Sequence, residues 1–188
     1  MRYSSYLIVI LIGISVTLFS SCNRNVSYES LIQKGLNSDV RVDSLFLGYH
    51  FGMERQEFRD LSWQMNQQGL MTGLATIEYN FDELKSRALK KFYPEFTDDR
   101  ISRFPVTVSY NAWAPWNEEF WPEVLMEDLK EYFEEEYQTQ FHWVYVPPLE
   151  KYAYVSVEGN REIRIYRDSE STAKIEYIDL TVHNPLDS

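Results

Sequence analysis

The chain has 188 residues, with 29 acidic against 18 basic side chains, a formal charge of -11, and a single cysteine. Nucleic acid phosphates and anionic lipid repel so acidic a body, which excludes nucleic acid as an expected partner. One cysteine allows no intramolecular disulfide, so the fold must be held by its core, and the length suffices for one domain of ordinary size.

At the N-terminus, Arg2 precedes an apolar run from Leu7 to Phe19, and Ser20 and Ser21 lead directly to Cys22, the layout of a secretory signal. The apolar run is about 13 residues, short of the roughly 20 that span a bilayer as a helix. "LFSSC" resembles the lipobox of bacterial lipoproteins: an apolar residue and two small ones before a cysteine that is acylated and becomes the mature N-terminus. The resemblance implies a signal peptide over residues 1–21, a lipid on Cys22, and bilayer contact through that acyl anchor only. Loss of the signal removes one basic residue, Arg2, and no acid, so the formal charge moves from -11 to -12. The following "NRNVSYES" lacks the acidic run that resembles a surface-export signal in Bacteroidetes-type lipoproteins, so the expected place is the outer membrane, facing the periplasm.

Residues 22–42 are polar and aperiodic, interrupted by Gly35, Asn37 and Ser38, and read as a flexible tether with one helical turn around Tyr28 to Gln33. Residues 43–188 form the expected single domain. An apolar segment from Leu45 to Phe51 leads to a helix over Glu54 to Gln68, whose Phe58, Leu61 and Met65 make one apolar stripe before the stop at Gly69. Strands follow at Leu74 to Phe81, Ala88 to Phe96 and Ile101 to Ala112, the last two joined by the turn "TDDR". A second helix is expected from a cap at Asn117 to Tyr137, with an apolar stripe of Leu125, Leu129, Tyr132, Phe133 and Tyr137 widened by Trp121 and Val124. Four strands in hairpins then close the chain, at Gln140 to Val146, Tyr152 to Glu158, Glu162 to Arg167 and Ala173 to Val182. The order predicts an α+β fold, an antiparallel sheet with helices packed on one face, arranged as two tandem helix-plus-meander halves.

At "GYHFGMERQEF" an apolar strand ends in Gly52 and Met53 and passes into a polar-apolar helix, and here the chain resembles BamE/SmpA-type outer-membrane lipoproteins. Those pack helices on a small antiparallel sheet and support the machinery that folds outer-membrane barrels, which implies an assembly role. The family's glycine-proline step after the helix is replaced by Gly69 and Leu70. The body, including "FYPEF" and "AWAPWN", also resembles uncharacterised Bacteroidetes-type lipoproteins, a likeness that brings no activity.

No catalytic pattern stands out, and no cofactor is expected. His50, His142 and His183 lie in separate segments without the spacing of a metal site, and the seven glycines form no phosphate loop. The carboxylates of the second helix, from Glu118 to Glu136 and including Asp128, read as a solvated face. Thirty aromatic residues are the other excess. In "KYAYVSVEG", Ala153, Val155 and Val157 suit a covered sheet face, which leaves Tyr152 and Tyr154 on the open one as a recognition surface. Trp113 ends a strand that Pro115 stops, Trp116 lies in the corner, and Trp121 faces the core; Trp113 and Trp116 are the second candidate contact. The expected function is a non-enzymatic envelope module that binds another envelope protein. A glycan-binding module or carboxylate-dependent hydrolase built on Trp113 and Trp116, or an inhibitor or sensor using the acidic helix, remain the alternatives.

Overall fold

The computed structural model describes residues 26–73 and 76–187, so the signal, Cys22 and residues 74 and 75 lie outside the described residues. Its helices are α1 (Tyr28–Leu36), α2 (Arg55–Gln67) and α3 (Pro122–Tyr137). Its strands are β1 (Met71–Thr72), β2 (Ile77–Phe81), β3 (Ala88–Phe92), β4 (Glu95–Thr97) and β5 (Arg100–Tyr110), then β6 (His142–Val146), β7 (Lys151–Glu158), β8 (Arg161–Arg167) and β9 (Ala173–Asp179). Among the described residues all nine belong to one open antiparallel sheet, ordered β1-β2-β3-β5-β9-β8-β7-β6, with β4 paired to β5 off that path. The α+β architecture is thus the one the sequence predicts. Each of α2 and α3 is followed by a meander that runs from a sheet edge to its centre, where β5 meets β9.

Strict alternation makes the central register unambiguous. Phe104, Val106 and Val108 of β5 stand opposite Tyr177, Ile175 and Ala173 of β9, and all six are buried on the face covered by α2 and α3. Leu125, Leu129 and Phe133 of α3 enter the same cluster, as does Phe58 of α2. Pro94 separates β3 from β4 where a single strand was expected, consistent with its missing N–H. Asp98 and Asp99 both have positive φ, the backbone a tight hairpin turn requires between β4 and β5. Gly69, with φ of 72°, ends α2 as expected: its N–H reaches the Asn66 carbonyl and that of Leu70 reaches Met65.

Four local expectations need correction. Leu45 to Phe51 is not a strand but a tight loop, with Leu47 and Gly48 at positive φ, whose Leu45, Tyr49 and Phe51 plug the core. The second helix starts at Pro122, a residue whose fixed φ and absent N–H suit a first helical position. Asn117 instead opens a 3₁₀ turn over Glu118–Phe120 and makes no side-chain cap. Trp121, expected in the core, sits at that helix's N-cap and is 38% exposed. Asp128, expected on the solvated face, is buried and holds both the Tyr110 hydroxyl and the Lys85 ammonium.

The largest correction concerns residues 28–42, expected to be flexible. Ser27 and Ser30 form a reciprocal capping box, and Tyr28, Ile32 and Gly35 of α1 are buried against β6 and β7 on the face opposite α3. The glycine read as a pattern breaker is a packing requirement: a Cβ on Gly35 would lie 2.4 Å from Val157 Cγ1 and 2.7 Å from the Gly159 carbonyl oxygen. Beyond α1 the chain stays strapped down. The Val42 N–H donates to Asn160 Oδ1 at 2.7 Å, Arg41 bridges Asp43 and Asp179, and Arg161 donates to the Ser44 carbonyl at 2.8 Å.

Under α1 lies a buried polar group. Arg164 pairs with Glu162 at 2.6 Å and donates to the Tyr28 hydroxyl at 2.6 Å, while that hydroxyl donates to Glu162. Burial pushes the Tyr28 hydroxyl well above its ordinary range, so it is a neutral donor and acceptor at all physiological pH.

Two substitutions test α1. Gly35→Ala, which favours an isolated helix by about 1 kcal/mol, is expected to destabilise this domain by about 1–3 kcal/mol in urea unfolding, because the methyl group has no room. An unchanged midpoint would mean α1 is not docked. Tyr28→Phe, which leaves two buried charged groups each short of one hydrogen bond, is expected to cost about 1–3 kcal/mol in the same measurement.

Candidate functional site

Two aromatic surfaces are built by different elements. The first lies on the β6–β7 hairpin at one edge of the sheet. Alternation along "HWVYV" sends Val144 and Val146 into the cluster under α1 and turns Trp143 and Tyr145 the other way. Register then pairs Trp143 with Tyr154 and Tyr145 with Tyr152. The four rings pack as a continuous group: Trp143 and Tyr152 stack at 5.8 Å, Trp143 and Tyr154 lie 4.7 Å apart, and Tyr145 meets Tyr152 edge-on at 5.5 Å.

Packing among themselves does not remove them from solvent. Tyr152 is 56% exposed, Trp143 52% and Tyr145 46%. Tyr154 differs, since it lies on the face that α3 covers and its hydroxyl is bonded to Glu127 of that helix. Burial and that carboxylate push the hydroxyl up to about 12, so it remains protonated at neutral pH. The expected open face is therefore only half open: Tyr152 is free, and Tyr154 anchors the group to α3. Beyond β6 the sheet has no further strand among the described residues. A groove of about 310 Å³ follows that edge, with Val26, Tyr28 and Glu29 on one side and Trp143, Tyr145 and Tyr152 on the other. An unpaired strand with large flanking rings can accept an extended segment by adding a strand, the backbone supplying hydrogen bonds and the rings supplying buried area.

The pattern within either strand singles out neither Trp143 nor Tyr145 as a partner of Tyr152. The signal was present, because the alternation of "HWVYV" matches that of "KYAYV". What was needed was the pairing of the two strands, which places the four rings on one side.

The second surface surrounds the strand-to-helix corner. Trp113, Pro115, Trp121 and Pro122 line an open cleft of about 710 Å³ together with Glu118, Glu119, Glu123, Glu170 and Arg167, the last paired to Glu123 at 2.7 Å. Trp113 is partly buried, and its Nε1 is shielded from solvent with no hydrogen-bond partner among the described residues. Trp116, at 86% exposure, projects from the corner and is not part of the cleft wall. The predicted pair thus separates, and Trp121 replaces Trp116 as the partner of Trp113. All four glutamates of the cleft are exposed, so they share one environment, whereas paired acid-base carboxylates need unlike ones.

The histidines stay apart. His50 is paired with Glu57 at 3.7 Å, and His183 is bonded to Ser102 at 2.9 Å, with its pKa lowered by burial and by Arg103. Among the described residues no group of three or more His, Cys, Asp or Glu could hold a metal ion. Nor, among them, is any helix long and apolar enough to cross a membrane.

No protein-family model matches the chain, and neither a curated protein nor a solved structure is significantly similar to it.

Proposed function

We propose that this chain is an envelope lipoprotein, anchored by an acylated Cys22 in the outer membrane and facing the periplasm, that binds another envelope protein through the aromatic edge of its sheet. The observation that carries this reading is the group of Trp143, Tyr145, Tyr152 and Tyr154 on the β6–β7 hairpin, whose β6 has no outer neighbour among the described residues. Tryptophan and tyrosine dominate binding hot spots because they bury large rigid surface at small entropic cost. The reading is also one of position. Three residues separate Cys22 from Val26, and Val26 lines the same groove as Tyr145 and Tyr152. Fully extended, that stretch reaches about 15 Å. An anchor on Cys22 would therefore hold the aromatic edge close to the bilayer, and the partner is a protein in the membrane or against it.

One observation favours a second reading, a glycan-binding cleft, namely that Trp113, Pro115 and Trp121 line one open cleft with exposed carboxylates beside them. An indole face in such a cleft can stack against a sugar ring while the carboxylates accept from its hydroxyls. Quenching or enhancement of tryptophan fluorescence by peptidoglycan fragments, absent in Trp113→Phe, is the outcome that reading expects.

For the first reading, a photo-crosslinking residue at Tyr145 in intact cells is expected to capture one membrane protein. Trp143→Ala combined with Tyr152→Ala is expected to weaken binding to that protein about 30-fold or more, the scale of a lost hot spot, with an unchanged melting temperature. Undiminished binding by the folded double variant removes the surface. Cys22→Ser is expected to move the protein from the membrane to the soluble fraction.

A further inference from the structure

Lys90 is explained neither by the core nor by the aromatic edge. It stands in β3 opposite Tyr79 and Val108, on the face covered by α3, and is 4% exposed. Its Nζ lies 3.3 Å from the Phe81 ring centroid, 5.3 Å from that of Phe46, 5.8 Å from that of Tyr132 and 5.7 Å from that of Phe133. It makes no hydrogen bond or ion pair with the described residues. Beside it is a cavity of about 260 Å³, with Phe81 and Tyr132 in its walls and Glu83 and Glu136 at its exposed mouth.

A structural role accounts poorly for this arrangement. Rings around a cation contribute about 2 kcal/mol when it is desolvated, less than the cost of burying an ammonium without hydrogen bonds, and a methionine would fill the same space without that cost. Burial lowers the Lys90 pKa to about 7, against the opposing pull of Glu83 and Glu136. The remaining titratable groups facing the cavity are phenols: Tyr79 from β2, bonded to Glu83 at 3.2 Å, and Tyr132 and Tyr137 from α3. Burial raises all three, so they stay neutral when the amine loses its proton. An amine partly unprotonated at neutral pH, set among aromatic rings at the floor of a small, solvent-connected cavity, is the environment of a nucleophilic lysine. Two carboxylates at the mouth oppose an anionic ligand, and the aromatic walls suit a compact neutral one.

We propose that Lys90 is an amine nucleophile that takes a small neutral aldehyde through the mouth formed by Glu83 and Glu136 and holds it as an imine. The nitrogen lone pair forms the C–N bond as the carbonyl π electrons move to oxygen, and a proton passes from nitrogen to that oxygen. The resulting hydroxyl then leaves as water while the nitrogen loses its second proton. The sum is amine plus aldehyde giving imine plus water, with nothing oxidised or reduced. This site shares no residue with the aromatic edge, so neither proposal depends on the other.

The test is to incubate the full chain with benzaldehyde and cyanoborohydride at pH 7 and to map alkylated lysines by peptide mass spectrometry. Lys90 is expected to be labelled at least tenfold faster than the exposed Lys34 and Lys91, with a rate that is half-maximal near pH 7. Glu83→Gln with Glu136→Gln is expected to shift that midpoint to lower pH, because both carboxylates favour the charged amine. Lys90→Met is expected to abolish the fast label and to melt no lower than the parent, which separates loss of the nucleophile from loss of the fold. Labelling of Lys90 no faster than that of Lys34 and Lys91 at pH 7, in protein shown to be folded, overturns the proposal.

Discussion

The pairing of β5 with β9 is the constraint on which the rest of the molecule depends. Each is the last strand of a meander, and their antiparallel register sets Phe104 against Tyr177 and Val106 against Ile175 on one face. A slip of one residue would turn Phe104, Val106 and Val108 away from α3 and expose Arg103, Pro105 and Thr107 to the core instead. With that register in place, the two meanders extend outwards in opposite directions, which puts the short β1 at one edge and β6 at the other. The exposed aromatic edge is thus a consequence of central pairing.

The two faces of the sheet are covered differently. On one, α2 and α3 bury a large aromatic core in which rings meet mostly edge-on, as at Phe46 with Phe92 and Phe104. On the other, a smaller apolar cluster under α1 adjoins the charged group of Glu162, Arg164 and Glu176. Charges buried there need partners from the backbone's own neighbours, and Tyr28 supplies one of them from α1. Docking of α1 therefore does more than cover apolar surface. It also completes a hydrogen-bonded group and brings the N-terminal segment to the β6 edge, beside the exposed rings.

The acidic composition finds a partly different use from the one expected. Most carboxylates of α3 are solvated, but Asp128 is drawn into the interior by Tyr110 and Lys85, and Glu127 holds Tyr154. The helix thereby fixes one end of the aromatic group while leaving Trp143, Tyr145 and Tyr152 accessible. Lys90 belongs to the opposite meander and to the interior, where the same helix closes over it with Tyr132 and Phe133.

The amino-acid sequence by itself determined whatever depends on local periodicity. Phe58, Leu61 and Met65 announced α2, Leu125, Leu129 and Phe133 announced α3, and "FPVTVSY" announced β5, because in each the spacing of apolar residues is the spacing of one buried face. The exposure of Tyr152 was legible for the same reason. Only the tertiary structure decided features that arise from two distant segments meeting. Gly35 reads as a helix breaker until Val157 and Gly159 are placed against it. Asp128 reads as solvated until Tyr110 reaches it, and Lys90 reads as an ordinary strand lysine until α3 closes over it. Trp143 joins Tyr152 through the register of a hairpin, which periodicity within either strand does not contain. The physical reason is common to all four: burial and pairing belong to contacts between segments, and a pattern along one segment carries only the face it presents.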